Sequence, residues 1–346
     1  MTAKERVQMA VSRQPYGGLP HQVEFTRRMR KIVETHFRLT DEELSIALGN
    51  HIRYIDTHQK ATVDRERGMD FDLFGVGWDL VKSEGYLPVF HPLNDWKNAS
   101  SFSFPDPGDP ILYRDAEKIT EQMRQEYFIL GSQGWVLMER AWLLRGFENF
   151  MTDIAENRSA LEILLDRITE CQIEVTKNLI KLGVDGIYTG DDYGTQRGLL
   201  LSPALWRSLL KPRLAAIWKI AKQAGLPVFH HSCGNVFAIL DDLLEIGLDV
   251  LLPVQPQAMD IRVLQEQFGS RLSFMGGLST QETLPFGTPK QVREETGRLI
   301  DILGKHHGYI VSASHEIGSD CSIANLTAFL EEISHRNGSA IPVLSI

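Results

Sequence analysis

Five segments in the second half of the chain repeat one order: a short apolar run, a polar cluster, then a stretch with helical periodicity. The run Gly186-Ile187-Tyr188-Thr189 ends at Asp191-Asp192, and Pro227-Val228-Phe229 ends at His230-His231-Ser232-Cys233. Asp249-Val250-Leu251-Leu252 leads into Pro253-Val254-Gln255-Pro256, Leu272-Ser273-Phe274-Met275 into Gly276-Gly277, and Tyr309-Ile310-Val311-Ser312 into Ser314-His315-Glu316. Buried parallel strands read as continuous apolar runs, and in barrels of such strands the chemistry gathers at their C-terminal ends. The repeat therefore predicts an α/β fold: a closed (β/α)8 TIM barrel with additional helical and irregular structure at its N-terminus. It also predicts that the polar clusters line one pocket. An open doubly wound sheet is the alternative. No Gly-x-Gly-x-x-Gly follows an early strand, which counts against it.

The regular β-α alternation makes residues 113–340 the barrel core, with 1–112 as an extension and the first units of the same single domain 1–346. Helical periodicity places helices near 159–182, 203–224, 235–246, 260–268, 289–304 and 323–335. Upstream, a short helix is predicted over 1–13, and residues 23–37 carry a basic face with Arg27, Arg28, Arg30 and Lys31. Thr40 and Glu43 have the spacing of a capping box. Residues 64–110 read as irregular, with short strands at Leu73-Phe74-Gly75-Val76 and Leu87-Pro88-Val89-Phe90. A helix follows over 115–126, then the strand Tyr127-Phe128-Ile129-Leu130.

Composition narrows the function. The 346 residues carry a net charge of −9, so nucleic-acid binding has no electrostatic support. The polar start lacks the apolar core of a signal peptide, and no apolar stretch is long enough to span a membrane. Three cysteines, Cys171, Cys233 and Cys321, do not make a disulfide framework, so a cytoplasmic protein is expected.

The densest cluster, His230-His231-Ser232-Cys233, places an imidazole and a thiol two residues apart after a strand. Zinc takes both ligand types, and a catalytic site needs three protein ligands. His315 and Cys321 are the candidates for the third. The purely structural alternative makes Cys233 a packing residue and His231 a hydrogen-bonding partner of substrate. Adjacent carboxylates at Asp191-Asp192 repel, so one can serve as an acid or base. Asp191 is expected to cap a turn, leaving Asp192 as the functional member with Tyr193 beside it as a substrate contact. His315 can move a proton near neutral pH, or it can cap the next helix. Gly276 and Gly277 allow a close backbone approach to substrate, or relieve crowding in the strand. Arg140 can grip an anionic substrate, whereas Arg145 reads as an ion-pair partner. Gln255 ends a strand where it can orient a small molecule. Asp56-Thr57-His58-Gln59-Lys60-Ala61 echoes the Asp-x-His-x-x-Gly loop of cobalamin carriers, but it lacks the Gly and reads as helical. Any corrinoid would have to arrive on a separate protein.

Taken together, His231-Ser232-Cys233-Gly234-Asn235, Pro253-Val254-Gln255-Pro256, Met275-Gly276-Gly277-Leu278 and Ser314-His315-Glu316-Ile317 resemble the uroporphyrinogen decarboxylase superfamily. Glu139-Arg140-Ala141-Trp142 and Asp191-Asp192-Tyr193-Gly194 extend the resemblance upstream. It implies one barrel with two chemistries. Decarboxylases act on a tetrapyrrole without cofactor, and relatives move methyl groups between a corrinoid protein and an acceptor such as coenzyme M or tetrahydrofolate. The decarboxylase hallmark Arg-Gln-Ala-Gly-Arg is absent; Arg27-Arg28-Met29-Arg30 is the nearest basic stretch. His315 matches a decarboxylase active-site His. The thiol-activating methyltransferases carry His-x-Cys plus a distant Cys. His231 and Cys233 match the first part, His315 stands at the third position, and Cys321 lies six residues beyond.

The expected function is thus corrinoid-linked methyl transfer, with Asp192, His231 and His315 catalytic and Arg140, Tyr193, Gln255, Gly276 and Gly277 on the substrate. Zinc would sit on His231, Cys233 and His315, and the corrinoid would come from a partner protein. Resemblance adds a homodimer. Decarboxylation of a carboxylated tetrapyrrole or aromatic, without cofactor, is the first alternative, and a non-catalytic binding barrel the second.

Overall fold

The computed structural model describes residues 1–57, 60–81, 87–338 and 340–345. Its strands are β1 (Ile52–Asp56), β2 (Lys60–Asp64), β3 (Met69–Asp72), β4 (Gly77–Asp79), β5 (Leu87–Phe90), β6 (Phe128–Trp135), β7 (Gly186–Gly190), β8 (Val228–His231), β9 (Val250–Val254), β10 (Ser273–Leu278) and β11 (Tyr309–Ala313). β1 and β6 to β11 form one curled parallel sheet in chain order, as the apolar runs predict. Strand side chains alternate between two faces, and the alternation divides the core. Ile52, Phe128, Leu130, Phe229, Val250 and Ile310 point into the barrel, whereas Ile55, Ile129, Ile187, Val228, Leu251 and Val311 pack against the helices.

An extended segment, residues 20–26, fills the gap between β11 and β1. Val311 donates to the Pro20 carbonyl and Gln22 to the Val311 carbonyl, both at 2.9 Å. Ile317 and Thr26 continue the ladder at 2.8 and 3.1 Å. Toward β1, side-chain amides replace much of the backbone pairing. Asn50 bonds both the N–H and the carbonyl of Val23, and Gln22 accepts from Ile52 N–H. This stave closes the eight-membered ring. The basic helix accordingly starts later than the sequence suggests, at Arg27, with Thr26 as its cap. At the opposite end of the barrel, the helix Ala3–Val11 plugs the floor with fully buried Val7 and Ala10.

Two other expectations need correction. Leu73-Phe74-Gly75-Val76 is not a strand but the turn between β3 and β4: Asp72 accepts from Phe74 and Val76 N–H, and Gly75 has φ +76°. β2 to β5 instead form a four-stranded antiparallel sheet inserted after β1. Trp78 of β4 stacks on Trp135 at 4.7 Å and ties this sheet to the end of β6. The helix predicted over 203–224 breaks at Leu210 into Pro203–Leu209 and Lys211–Gln223, because Pro212 cannot continue the hydrogen-bond ladder. The capping box at Thr40 and Glu43 is present. Among the described residues, no helix is long and apolar enough to cross a membrane.

Candidate functional site

His231 closes β8 two residues after Phe229, so its ring faces the barrel mouth. The chain then turns sharply. Gly234 has φ +81°, and a Cβ there would lie 2.4 Å from the Gly194 carbonyl carbon, so two backbones meet where only glycines fit. The turn is held on both sides: Cys233 N–H donates to Asp192 Oδ1 at 2.8 Å, and Gly234 N–H to Gln255 Oε1 at 2.6 Å. Cys233 Sγ thereby lies 3.4 Å from His231 Nε2. His315 arrives from the end of β11 with its ring 5.6 Å from that of His231.

Donor atoms of His231, Cys233 and His315 all lie within 4.8 Å of one another. A tetrahedral ion with bonds of roughly 2.0–2.3 Å spaces its donors about 3.3–3.8 Å apart. The His231–Cys233 pair already meets that spacing, and His315 needs only a small side-chain adjustment. Two imidazoles and one thiol fit zinc, with a fourth position left for a small molecule. Asp192 Oδ1 lies 3.6 Å from His231 Nε2, the nitrogen that also faces Cys233 Sγ, and it holds the thiol's turn through Cys233 N–H. Burial lowers the His231 pKa to about 4, against the opposing pull of Asp192, so the ring is neutral and able to ligate. Burial, reinforced by Asp192 and Glu139, raises the Cys233 thiol well above its ordinary value, which a bound cation would reverse.

Beneath this pair sits a carboxylate layer. Asp191 caps as expected, but not the turn that follows it. Its carboxylate accepts from the N–H groups of Leu137, Met138 and Glu139, which open the helix Met138–Arg145, and from Tyr193 Oη at 3.0 Å. Burial pushes its pKa up to about 7, against the pull of those hydrogen bonds. Glu139, in the first turn of that helix, is 7% exposed and accepts from Asp192 N–H at 3.0 Å. Burial, then Asp192 and Asp191, hold it well above the usual carboxylate range. The signal for Glu139 was the same as for the others, a polar residue just past the end of a barrel strand.

The closing side of the mouth carries polar groups that no local sequence pattern marks. Tyr54 and Tyr188 face the lumen, and Asp56 accepts from Ser132 Oγ at 3.2 Å. Burial raises Glu24, with Glu316 adding to the effect and Tyr54 hydrogen-bonding against it. Of the Asp56–Ala61 near-motif, His58 and Gln59 lie outside the described residues. Its helical reading fails, since Asp56 ends β1 and Lys60 begins β2.

Several named residues do not join the cluster. Arg140 is 2% exposed and pairs with Asp72 of the inserted sheet at 2.8 Å, so it secures that sheet instead of gripping an anion. Arg145 is an ion-pair partner as expected, buried against Asp153 at 2.7 Å. Tyr193 is buried, with its ring stacked on His230. Gly276 and Gly277 lie within β10 at φ +111° and +110°. A Cβ at Gly276 would come within 2.8 Å of Val254 N, so crowding between strands explains the glycine. Cys321 is buried in the outer core, and its thiol bonds the Ser322 carbonyl. Cys233, Gln255 and His315 do share one cavity of about 370 Å³, with Thr280, Glu316 and Asp320 on its wall.

A model of the family described as uroporphyrinogen decarboxylase (URO-D) matches residues 70–336. The chain belongs to the uroporphyrinogen decarboxylase family. The uroporphyrinogen decarboxylase of Wigglesworthia glossinidia brevipalpis is 22% identical over 273 residues, covering 75% of this chain and 73% of the relative. That of Legionella pneumophila (strain Corby) is 24% identical over 275 residues, covering 76% and 74%. A methyltransferase from Methanosarcina mazei has the same fold, with a TM-score of 0.69 at 20% identity over 97% of this chain and 99% of that one. Membership in the uroporphyrinogen decarboxylase family supports an enzyme. Decarboxylases and a methyltransferase both stand among its relatives, so the choice between chemistries falls to the site. The matched stretch holds His231, Cys233 and His315, whereas Glu24, Tyr54 and Asp56 precede it.

Proposed function

We propose that this chain is a zinc-dependent methyltransferase that moves a methyl group between a corrinoid carried by a partner protein and a small donor or acceptor. The observation that carries the reading is the convergence of donor atoms of His231, Cys233 and His315 within 4.8 Å of one another, with Cys233 and His315 on the cavity wall. When bound there, zinc would supply Lewis acidity toward the heteroatom that gains or loses the methyl group. The chain's own residues position. Asp192 and Gln255 fix the Cys233 turn, and Asp192 sets a carboxylate beside His231. In transfer to an acceptor, the partner's corrinoid would supply the methyl group and keep the electron pair of the broken bond. The acceptor heteroatom would form the new bond and release its proton to solvent at the open cavity, His315 being engaged there as a ligand. Such an in-line displacement gains most from held geometry.

Decarboxylation of a tetrapyrrole draws on the relatives' names and on His315. It requires cations to meet several substrate carboxylates, and no Lys or Arg lines the cavity among the described residues. The test is to incubate the zinc-loaded protein with methylcobalamin and a thiol or tetrahydrofolate and to follow the corrinoid spectrum. Loss of the methylcobalamin spectrum, abolished by Cys233→Ala, supports methyl transfer. Metal-independent release of carbon dioxide from uroporphyrinogen would replace it with the decarboxylase.

A further inference from the structure

Around the rim the strands run β8, β9, β10, β11, and the cavity residues that follow their C-terminal ends stand in the same order: Cys233, Gln255, Thr280, His315. Gln255 and Thr280 are therefore the wall between the thiol and His315. Thr280 Oγ1 is engaged with Ser314 Oγ at 3.1 Å. Gln255 is engaged at one end only. Its Oε1 accepts from Gly234 N–H at 2.6 Å, and a backbone N–H can only donate, so the carboxamide cannot turn over. Its Nε2 is thereby fixed with two N–H donors that meet no acceptor among the described residues, although the residue is only 6% exposed. That nitrogen is not sealed inside the protein, and the residue lines the cavity. Gln257, two residues on, differs: its Nε2 donates to Ser279 Oγ at 2.7 Å. A donor pair that the fold orients and then leaves open selects for a molecule with an acceptor, because an analogue lacking one leaves the donors unpaired.

We infer that Gln255 is a specificity-determining residue that donates from Nε2 to an acceptor atom of the small molecule exchanging the methyl group. The substrate class is then a thiol, amine or alcohol that also carries a carbonyl-type oxygen or an unprotonated ring nitrogen; plain alkyl compounds are disfavoured. This rests on the reading of the cavity as the methyl donor or acceptor site, and it narrows that reading. One amide thus serves twice. Its oxygen holds the turn that carries Cys233, and its nitrogen reads the molecule beside that turn. Glutamate separates the two roles, because its carboxylate oxygens still accept from Gly234 N–H and bring no amide donor.

Two thiols of nearly one shape isolate the acceptor: mercaptoacetamide and isobutanethiol. Their dissociation constants would be measured by ligand-observed nuclear magnetic resonance on both the metal-free and the zinc-loaded protein, with zinc affinity followed alongside. Gln255→Met is expected to weaken the amide probe about tenfold and to leave the alkyl probe nearly unchanged. Gln255→Glu should weaken the amide probe relative to the alkyl one as much, without lowering zinc affinity. Equal losses for the two probes, no loss for either, a preference for the amide that survives in Gln255→Glu, or no binding of either probe in either form overturns the inference. Loss of the amide preference in Gln255→Met, in a protein that takes up no zinc, would instead sink the metal-dependent reading alone.

Discussion

The two sides of the barrel mouth are built differently. On the β7–β8 side the groups that shape the turn are locked: Asp191 by three backbone N–H groups and a tyrosine, Cys233 by Asp192, and the next turn by Gln255. On the β11 side His315 is exposed, with Glu316 and Asp320 around it, and the neighbouring stave, paired to β11 through backbone, meets β1 largely through side-chain amides. The locked side presets two donors at 3.4 Å; the open side brings the third only to within 4.8 Å. A site made this way keeps a donor pair in place through turnover and leaves its access on the looser side. That division of labour can be broken one side at a time.

The largest effect is expected at Asp191→Ala. It strands three buried amides at the start of a helix and should cost about 3 kcal/mol or more, read as a loss in urea-denaturation stability. A loss under about 1 kcal/mol would mean that the locked side is not locked by this carboxylate. Cys233→Ala comes next. It should lower zinc affinity at least about 100-fold, whereas Asp192→Asn, which acts through the donors, should lower it about tenfold. Equal effects would erase the distinction between holding and orienting. On the closing side, Asn50→Ala removes both bonds to Val23 and should cost about 2 kcal/mol while leaving zinc affinity unchanged.

The last effect is pH-dependent. His51, beside the closing stave, is brought down to a pKa of about 3, first by burial and then by His21. The folded value lies below the unfolded one, so stability present above pH 6.5 is lost as pH falls toward the folded value. The advantage of the wild type over His51→Gln should shrink by about 1.4 kcal/mol per pH unit between pH 6 and 4. A constant difference would show that His51 is not held neutral.

What the sequence discloses follows the same division. On the rim from β7 to β11, each strand is an apolar run and each functional side chain comes within a few residues of its end. His231, Cys233, Gln255 and His315 could therefore be placed by local pattern alone. The closing stave could not. Gln22 and Glu24 sit in a polar stretch whose partners, Val311 and Ile317, lie nearly three hundred residues away, and nothing local marks it as a strand. The inserted sheet misleads for another reason. Its pattern is inverted: Asp70 and Asp72 are buried at 4% and 3% exposure, while Met69 and Phe71 between them stay half-buried. Asp72 is buried because Arg140 meets it, and that same pairing removed Arg140 from the site where the sequence placed it. Gly276 and Gly277 suit either a ligand's approach or relief of crowding, and crowding is what surrounds them: strand backbone at Gly276 and the Leu299 side chain at Gly277.

The most direct test of the site is the metal's own coordination shell. X-ray absorption at the zinc edge of the loaded protein should show one sulfur and two imidazole nitrogens, with the sulfur lost in Cys233→Ala. A protein that takes up no zinc, or a shell with no sulfur or with two, would contradict His231, Cys233 and His315 as the holders of one ion.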